Sequence, residues 1–241
     1  MTRISENIAA VRERIEAAAR RRGRNPNSIA LMAVCKTKPA GEIRAAYDAG
    51  QKLFGENRVQ EFQGKAEAVA SLRSAPDEGA ARFHLIGHLQ SNKTTPAAEL
   101  FDAVDSVDSL HVLERLNAAA EKLNKILPVL LEINIGGEEQ KAGLPADCPA
   151  LDEILLAAPR LEAIRIQGLM TVPPYTEDPE RARQYFRSLR ELRDRIAARK
   201  LTGVSMNELS MGMSQDFEVA VEEGSTCVRV GTAIFGARNY T

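Results

Sequence analysis

Residues 29–35 read Ile-Ala-Leu-Met-Ala-Val-Cys, an uninterrupted apolar run of the length of a β-strand. A strand with one face in water alternates apolar and polar residues, whereas a parallel strand covered by helices is apolar throughout. In the preceding segment Ile8, Val11 and Ile15 recur at helical spacing, and Gly23 suits a left-handed helix end. The start of the chain therefore predicts a helix followed by a buried parallel strand.

The alternation of apolar runs and helical patterns continues along the chain. The clearest helix has Asp178 as N-cap and Pro179 in its first turn, and its apolar residues keep helical spacing as far as Ile196. Seven further strand candidates are residues 52–54, 83–86, 101–104, 126–134, 164–169, 204–209 and 226–230.

Eight β units joined by helices can close through right-handed crossovers into a barrel, whereas an open doubly wound sheet normally uses about five or six strands. The predicted fold class is α/β, a TIM (β/α)8 barrel with the first helix as an N-terminal addition. No linker of Pro, Gly or Ser is long enough to divide the chain. We expect a single domain over residues 1–241.

Composition and charge exclude several classes of function. Lys and Arg total 32 against 33 Asp and Glu, so the formal net charge is −1 and nucleic acid is not an expected partner. No window approaches the roughly 18–20 uninterrupted apolar residues of a membrane span, and the N-terminus has no apolar signal core. A cytoplasmic protein without a membrane partner is expected. Three widely spaced cysteines predict neither disulfides nor a thiolate zinc site.

The first predicted strand leads directly into Lys36, and chemistry in a (β/α)8 barrel lies at the C-terminal ends of the strands. A lysine amine flanked by apolar residues can act as a nucleophile and form a Schiff base. The alternative is a lysine whose charged end reaches solvent or a salt bridge at a strand end.

Two late loops indicate a phosphate site. Residues 209–216 (Leu-Ser-Met-Gly-Met-Ser-Gln-Asp) follow the seventh predicted strand, and residues 231–236 (Gly-Thr-Ala-Ile-Phe-Gly) follow the eighth. Phosphate sites in such barrels commonly use these two loops and a helix N-terminus, with hydroxyl donors available from Ser210 and Thr232. Turn formation alone would also explain glycine and serine in either loop.

Closure of the barrel would place the eighth strand beside the first, so one ligand could contact both Lys36 and residues 231–236. The period of two along the eighth strand places Cys227, Arg229 and Gly231 toward the barrel interior. An inward arginine needs an acceptor. That acceptor is either a carboxylate within the barrel or a polar ring atom of a ligand.

His84 and His88 have the spacing of a helical metal pair. They flank a predicted strand end and Gly87, however, and no matching carboxylate cluster accompanies them. No metal site is predicted.

Six ordered stretches match the motifs of one known family. They are residues 33–39 (Ala-Val-Cys-Lys-Thr-Lys-Pro), 54–61 (Phe-Gly-Glu-Asn-Arg-Val-Gln-Glu), 83–93 (Phe-His-Leu-Ile-Gly-His-Leu-Gln-Ser-Asn-Lys), 168–170 (Gly-Leu-Met), 209–214 (Leu-Ser-Met-Gly-Met-Ser) and 228–236 (Val-Arg-Val-Gly-Thr-Ala-Ile-Phe-Gly). The chain thereby resembles, over essentially its whole length, the pyridoxal 5′-phosphate homeostasis proteins, which look like the barrel domain of alanine racemase.

This resemblance implies the barrel of PLP fold type III, with pyridoxal 5′-phosphate (PLP) as the cofactor. It implies that Lys36 holds PLP as a Schiff base. It also implies that Ser210, Gly231 and Thr232 help to bind the phosphate.

The resemblance further implies that Arg229 faces the pyridine nitrogen and that Asn57 lies near the ring. Two places depart from the family pattern. Cys35 stands where a serine often precedes the lysine, and residues 136–143 (Gly-Gly-Glu-Glu-Gln-Lys-Ala-Gly) replace a segment usually richer in serine. The second departure leaves the role of the loop around Lys141 open.

The resemblance favours a carrier over an enzyme. An arginine beside the pyridine nitrogen disfavours ring protonation and so weakens PLP as an electron sink. Racemases of this fold type add a C-terminal β domain and a partner subunit, and this sequence has only five residues after Gly236. We therefore expect a monomeric, non-catalytic protein that buffers PLP or delivers it to PLP-dependent apoenzymes.

Two enzymatic hypotheses stay open. A PLP-dependent amino acid racemase could act from the barrel alone, with a side chain such as Lys38 or His84 as its base. An aldolase is the other hypothesis, because a barrel lysine beside a phosphate site also suits a Schiff base with a sugar phosphate.

Overall fold

Parallel strands alternate with helices around a closed barrel in the computed structural model, which describes residues 2–74, 79–138 and 140–237. The strands are β1 (Ala30–Val34), β2 (Leu53–Glu56), β3 (Arg82–Leu85), β4 (Ala103–Val107), β5 (Leu127–Asn134), β6 (Leu144–Pro145), β7 (Ile164–Met170), β8 (Val204–Ser210) and β9 (Cys227–Val230). The α-helices are α1 (Arg3–Arg21), α2 (Ala40–Asp48), α3 (Val59–Gln63), α4 (Ala70–Arg73), α5 (Thr94–Leu100), α6 (Leu110–Lys122), α7 (Pro149–Ala157), α8 (Arg183–Ala198), α9 (Phe217–Glu222) and α10 (Thr232–Phe235). Short 3-10 segments cover Pro26–Ser28, Ser91–Lys93, Ala158–Arg160 and Pro179–Ala182.

Eight of these strands form the barrel in the order β1, β2, β3, β4, β5, β7, β8, β9, and β9 returns to pair with β1. Cys227 lies opposite Ala30 and Val230 opposite Ala33 at this closure. The predicted eight-stranded parallel barrel is therefore confirmed over the described residues. The two-residue β6 pairs with the end of β5 outside the ring. It was not predicted, because two residues carry no hydrophobic period.

The outward faces of the strands pack under the helices. Phe54 and Phe83 stack with ring centroids 5.2 Å apart, and Phe62 of α3 lies 4.6 Å from Phe83 and 4.9 Å from Phe101. All four rings are fully buried. This aromatic cluster anchors the β2–β3 side of the barrel against α3.

The N-terminal helix α1 covers the part of the barrel where the chain closes on itself. Its buried stripe includes Ile8, Val11 and Ile15, and the helix packs against α9 and α10. Arg21 pairs with Glu222 of α9 at 2.7 Å, and Arg24 donates to the Val221 carbonyl. No helix in the described ranges is both long enough and apolar enough to span a membrane.

Candidate functional site

Lys36 lies at the C-terminal end of β1, where the sequence predicted a reactive lysine. The strand itself ends at Val34, although the Cys35 amide extends the ladder by donating to the Gly55 carbonyl at 2.9 Å. Lys36 and Thr37 then form a turn, and the Lys36 side chain is partly buried. Lys36 therefore lies at the mouth of the barrel.

Gly231 lies directly beside this lysine turn. A Cβ atom built on Gly231 would be 3.3 Å from the Val34 carbonyl oxygen, so the loop after β9 is in contact with the last residue of β1. The helix α10 begins at Thr232, and the first amides of a helix have no acceptor within it. The predicted proximity of Lys36 to residues 231–236 is confirmed by the β1–β9 pairing.

The loop after β8 is held tightly against α9 and β9. Gly212 has a φ of +93°, and a Cβ there would lie 2.5 Å from the Ala220 Cβ, so only glycine fits. The Arg229 amide donates to the Gly212 carbonyl at 2.9 Å, and the Met213 amide donates to Asp216 Oδ1 at 2.6 Å. These contacts fix the loop before any ligand arrives.

Ser214 joins the loops after β8 and β9. It is not among the site residues that the sequence predicts. Its Oγ accepts the Gly231 amide at 3.3 Å. The sequence feature that could have identified Ser214 is its hydroxyl group in the same glycine-containing loop as Ser210. Ser210, the serine that was predicted, lies at the end of β8, fully buried.

The Ser210 hydroxyl is bonded to Arg229 inside the barrel. One terminal nitrogen of the Arg229 guanidinium donates to Ser210 Oγ at 2.8 Å, and the other donates to the Thr171 carbonyl at 2.7 Å. The bond to Thr171 crosses from β9 past β8 to the end of β7, which confirms that the side chain points inward.

Arg229 is only 4% exposed, and burial lowers the pKa of its guanidinium. Within the described ranges, the hydrogen-bond partners of Arg229 are a hydroxyl and a carbonyl, and no carboxylate lies within salt-bridge distance of it. These two hydrogen bonds use two of the five N–H donors of the Arg229 guanidinium. The interior ion pair that one sequence interpretation required is therefore not found there.

Asn57 follows β2 immediately and lies against Gly87. A Cβ on Gly87 would be 2.3 Å from the Asn57 carbonyl oxygen, so the two backbones can approach this closely only because residue 87 is glycine. Asn57 Oδ1 is buried without a hydrogen-bond partner in the described part of the chain. A buried acceptor of this kind is costly unless a ligand or water supplies a donor.

Glu132 is a second residue that sequence reasoning missed. It is 8% exposed, and its Oε2 has no partner among the described residues. Burial and the nearby Asp108 raise the pKa of Glu132 to about 7, although the charges of Arg229 and His88 oppose the shift. The sequence feature that could have identified Glu132 is a carboxylate inside the apolar run 126–134.

His84 and His88 each contact a different aspartate. His84 Nδ1 lies 3.0 Å from Asp105 Oδ1, and His88 Nδ1 lies 3.0 Å from Asp108 Oδ2. Burial would lower the pKa of His84, but Asp105 outweighs it and the pKa is raised. The described residues contain no group of three or more His, Cys, Asp or Glu side chains able to hold a metal ion.

His84 faces away from the Lys36 end of the barrel. It lines a cavity of about 450 Å³ together with Ala30 and Cys227, the first residues of their strands. That cavity lies at the N-terminal ends of the strands. His84 and Lys36 are therefore not brought together.

Two other lysines contact carbonyl groups near the barrel mouth. Lys38 Nζ donates to the Phe235 carbonyl at 3.2 Å and lies 3.5 Å from Glu42. Lys141 donates to the Pro173 carbonyl at 3.3 Å. Lys141 thus ties its loop to the segment after β7.

The arrangement suits covalent capture of a small anionic carbonyl compound. Lys36 lies beside the loops after β8 and β9, which contain small residues, and the buried Arg229 lies below these loops in the barrel. Amides, hydroxyls and a cation are suitable groups for an anion, and the amine is a nucleophile for a carbonyl carbon.

Comparison with known proteins identifies relatives over the whole chain. Residues 6–239 match the family described as alanine racemase, N-terminal domain. A protein from Aquifex aeolicus named pyridoxal phosphate homeostasis protein is 43% identical over 236 residues, covering 98% of both chains. An Escherichia coli protein of the same name is 43% identical over 243 residues, covering 100% of this chain and 99% of the relative.

Solved structures agree with these sequence matches. PipY of Synechococcus elongatus, with PLP bound, has a TM-score of 0.81 at 35% identity. The match covers 97% of this chain and 100% of PipY.

Proposed function

This chain belongs to the pyridoxal phosphate homeostasis proteins of the alanine racemase N-terminal domain family, and we propose that it binds PLP at the barrel mouth and helps to control PLP supply. The observation that carries the proposal is the contact between Gly231 and the end of β1, which brings Lys36 beside a loop suited to phosphate. The PLP-bound structure of PipY, whose fold this chain shares, supports it.

The residues at the site fit the chemistry of PLP. Gly231 leaves room beside Val34 where a side chain would meet the backbone, and Asn57 Oδ1 is a buried acceptor in need of a donor. Arg229 supplies a fixed cation beneath the mouth. When bound, PLP would supply an aldehyde that condenses reversibly with primary amines.

Lys36 would hold the cofactor covalently as a Schiff base. Its Nζ lone pair adds to the aldehyde carbon, and the aldehyde oxygen leaves as water with the two protons of the amine. A C=N bond replaces the C=O bond without any change of oxidation state. The reaction is reversible, so the same lysine can release the cofactor by hydrolysis or to another amine.

The phosphate would be bound where the loop after β8 meets the loop after β9. Gly231 and Thr232 stand at the start of α10, and Ser214 already accepts the Gly231 amide. We assign Ser210 an indirect part, because its hydroxyl is bonded to Arg229 on the interior side.

Arg229 would face the pyridine nitrogen and keep it unprotonated. A cation beside the nitrogen disfavours ring protonation, which weakens electron withdrawal from an attached amine. This argues for a carrier with little or no catalytic activity. Delivery to PLP-dependent apoenzymes is the corresponding biological role.

The test is an absorbance spectrum of the wild-type protein and of Lys36→Ala after incubation with PLP, followed by borohydride reduction and mass mapping. We expect a visible Schiff-base band in the wild type, its loss in Lys36→Ala and a pyridoxyl mass on Lys36. Lys52→Ala is the control, because Lys52 Nζ lies over the Tyr47 ring, 3.3 Å from its centroid, at the other end of the barrel. Absence of both band and adduct in the wild type would refute the proposal, and borohydride trapping of a sugar phosphate alone would favour the aldolase.

The carrier and racemase hypotheses differ in two measurements. A racemase incorporates solvent deuterium at the α-carbon of an amino acid, whereas a carrier transfers PLP to an acceptor apoenzyme faster than it releases PLP to solution. The structure places His84 at the opposite end of the barrel, which removes one of the two bases that the racemase hypothesis named. Deuterium incorporation by the loaded protein would overturn the non-catalytic assignment.

A further inference from the structure

The turn that carries Lys36 is held by one neighbouring ammonium group. Lys65 Nζ donates to the Cys35 carbonyl at 3.2 Å, immediately before Lys36 in the chain. The same nitrogen bonds to Glu56 Oε1 and to Glu61 Oε1, each at 2.8 Å. We call Cys35, Glu56, Glu61 and Lys65 the Lys65 network.

The residue after Lys36 is tied to the same network. Thr37 donates its backbone amide to Glu61 Oε1, the oxygen that Lys65 also contacts. Thr37 has a φ of +63°, a left-handed conformation that a β-branched residue rarely adopts. Such a conformation persists only where the surroundings enforce it. The backbone on both sides of Lys36 is therefore fixed, directly or through Glu61, by Lys65.

The network is buried deeply enough for its charges to matter. Glu56 is fully buried, and burial raises its pKa against the effect of Lys65. Burial would lower the pKa of Lys65, but its bonds to Glu56 and Glu61 outweigh that effect and the pKa is raised. Burial raises the pKa of the Cys35 thiol, which keeps its proton and donates to Glu56 Oε1 at 3.2 Å. Lys65 thus remains a cation at neutral pH.

We propose that Lys65 is a positioning residue for covalent attachment at Lys36, an inference that rests on the proposed function. By holding the Cys35 carbonyl and, through Glu61, the Thr37 amide, Lys65 keeps the lysine turn in the conformation from which Nζ reaches the aldehyde. Loss of Lys65 leaves the binding surface at Gly231 intact and slows only the bond-forming step.

The test compares Lys65→Met with the paired variant Glu56→Gln/Lys65→Met. Removal of Lys65 alone leaves the Glu56 carboxylate buried without its cation, which is destabilising. The added Glu56→Gln change removes that carboxylate, so the paired variant separates a folding defect from a positioning defect. Lys125→Met is the matched control, because Lys125 is also a partly buried lysine that donates to two carbonyls, those of Ala98 and Phe101.

Three quantities are measured. The first is hydrogen exchange of the Thr37 amide in the protein without PLP, the second is the rate at which borohydride-trapped pyridoxyl accumulates on Lys36, and the third is the Kd of pyridoxine 5′-phosphate, which lacks the aldehyde. In both Lys65 variants we expect faster Thr37 exchange and about 10- to 100-fold slower attachment, with the Kd unchanged within about twofold. Lys125→Met should attach PLP at the wild-type rate.

The outcomes separate this inference from the proposed function. Wild-type attachment in the folded paired variant would overturn the positioning role alone, as would equal slowing in Lys125→Met. A parallel loss of pyridoxine 5′-phosphate affinity would identify a general structural role instead. Failure of the wild-type protein to form any adduct on Lys36 would overturn the proposed function, and the inference with it.

Discussion

At the scale of single residues, the site depends on polar side chains in a place that branched aliphatic residues usually fill. Interiors of (β/α)8 barrels are packed mainly with Val, Ile and Leu, yet Arg229, Ser210 and Glu132 are buried inside this one. Burying such groups without partners is costly, so each must be bonded, neutralised or kept for a ligand. Arg229 and Ser210 bond to each other, whereas burial raises the pKa of Glu132 to about 7 and so favours its neutral form.

Ser210→Ala removes the hydroxyl acceptor of a buried guanidinium. Hydrogen bonds to charged groups contribute about 1.5–3 kcal/mol, so we expect the free energy of unfolding to fall by about 2 kcal/mol. Urea unfolding of the protein without PLP measures this. Ser205→Ala on the same strand is the control, because Ser205 is exposed and its loss should cost less than about 0.5 kcal/mol. Equal effects of the two changes would contradict the assigned role of the Ser210–Arg229 bond.

Glu132→Gln should change the pH dependence of stability. The pKa of Glu132 is raised from 4.5 to about 7, so between these pH values the folded protein binds more protons than the unfolded chain. Its contribution to stability therefore decreases as the pH rises through this window. We expect Glu132→Gln to be near neutral at pH 4.5 and to stabilise the protein by up to about 3 kcal/mol at pH 8.

The measurement is urea unfolding of both proteins at the two pH values. Glu153→Gln, on the exposed face of α7, is the control and should have the same effect at both. An equal effect of Glu132→Gln at pH 4.5 and pH 8 would show that the carboxyl group is not held neutral by its burial.

At the scale of elements, β7 and β8 approach each other more closely than two ordinary strands permit. A Cβ on Gly168 would lie 1.9 Å from the Glu208 carbonyl oxygen, and the register shifts between Ile166 and Gly168. The irregularity lets β8 continue to Ser210, whose partner on β7 is Met170. Gly168 therefore determines how the strand that carries Ser210 meets its neighbour.

Gly168→Ala should force these two strands apart. The obstructing atom is backbone rather than a flexible side chain, so we expect a loss of about 3 kcal/mol or more, or failure to fold. Gly41→Ala in α2 is the control, because a Cβ there meets nothing within 4 Å and alanine favours a helix by up to about 1 kcal/mol. Thermal unfolding followed by circular dichroism compares the two. A Gly168→Ala variant as stable as the wild type would contradict the close approach.

At the scale of the whole molecule, the proposed ligand site is formed by the first and the last barrel strands. Lys36 follows β1, and Gly231, which follows β9, lies 195 residues later in the chain (231 − 36). The pairing of Ala33 with Val230 unites these distant segments. A ligand that contacts both ends therefore stabilises barrel closure itself.

PLP should consequently raise the stability of the whole barrel. A ligand that binds only the folded state at 100 times its Kd contributes about 2.7 kcal/mol. We expect PLP to raise the Tm and to slow hydrogen exchange in both Ala30–Val34 and Cys227–Val230, with smaller effects in Lys36→Ala. Pyridoxal, which keeps the aldehyde and lacks the phosphate, is the control ligand. Protection of only one of these strands would contradict a site shared by the chain's two ends.

The sequence by itself determined the barrel, the number of its strands and the position of Lys36 at a strand end, because these depend on local features. Apolar runs such as residues 29–35 mark buried strands, and Lys36 marks its strand end without reference to distant residues. The period of two was sufficient to place Arg229 inside the barrel. The six family motifs predicted the family to which the chain belongs.

Only the tertiary structure decided which polar groups meet. The bond of Ser210 to Arg229, the link of Ser214 to Gly231 and the attachment of Lys65 to the Lys36 turn join residues from different β/α units. Their geometry depends on strand register and on close backbone approaches at glycines, and neither leaves a periodic signal in the sequence. The raised pKa of Glu132 has the same origin, because burial in the closed barrel produces it.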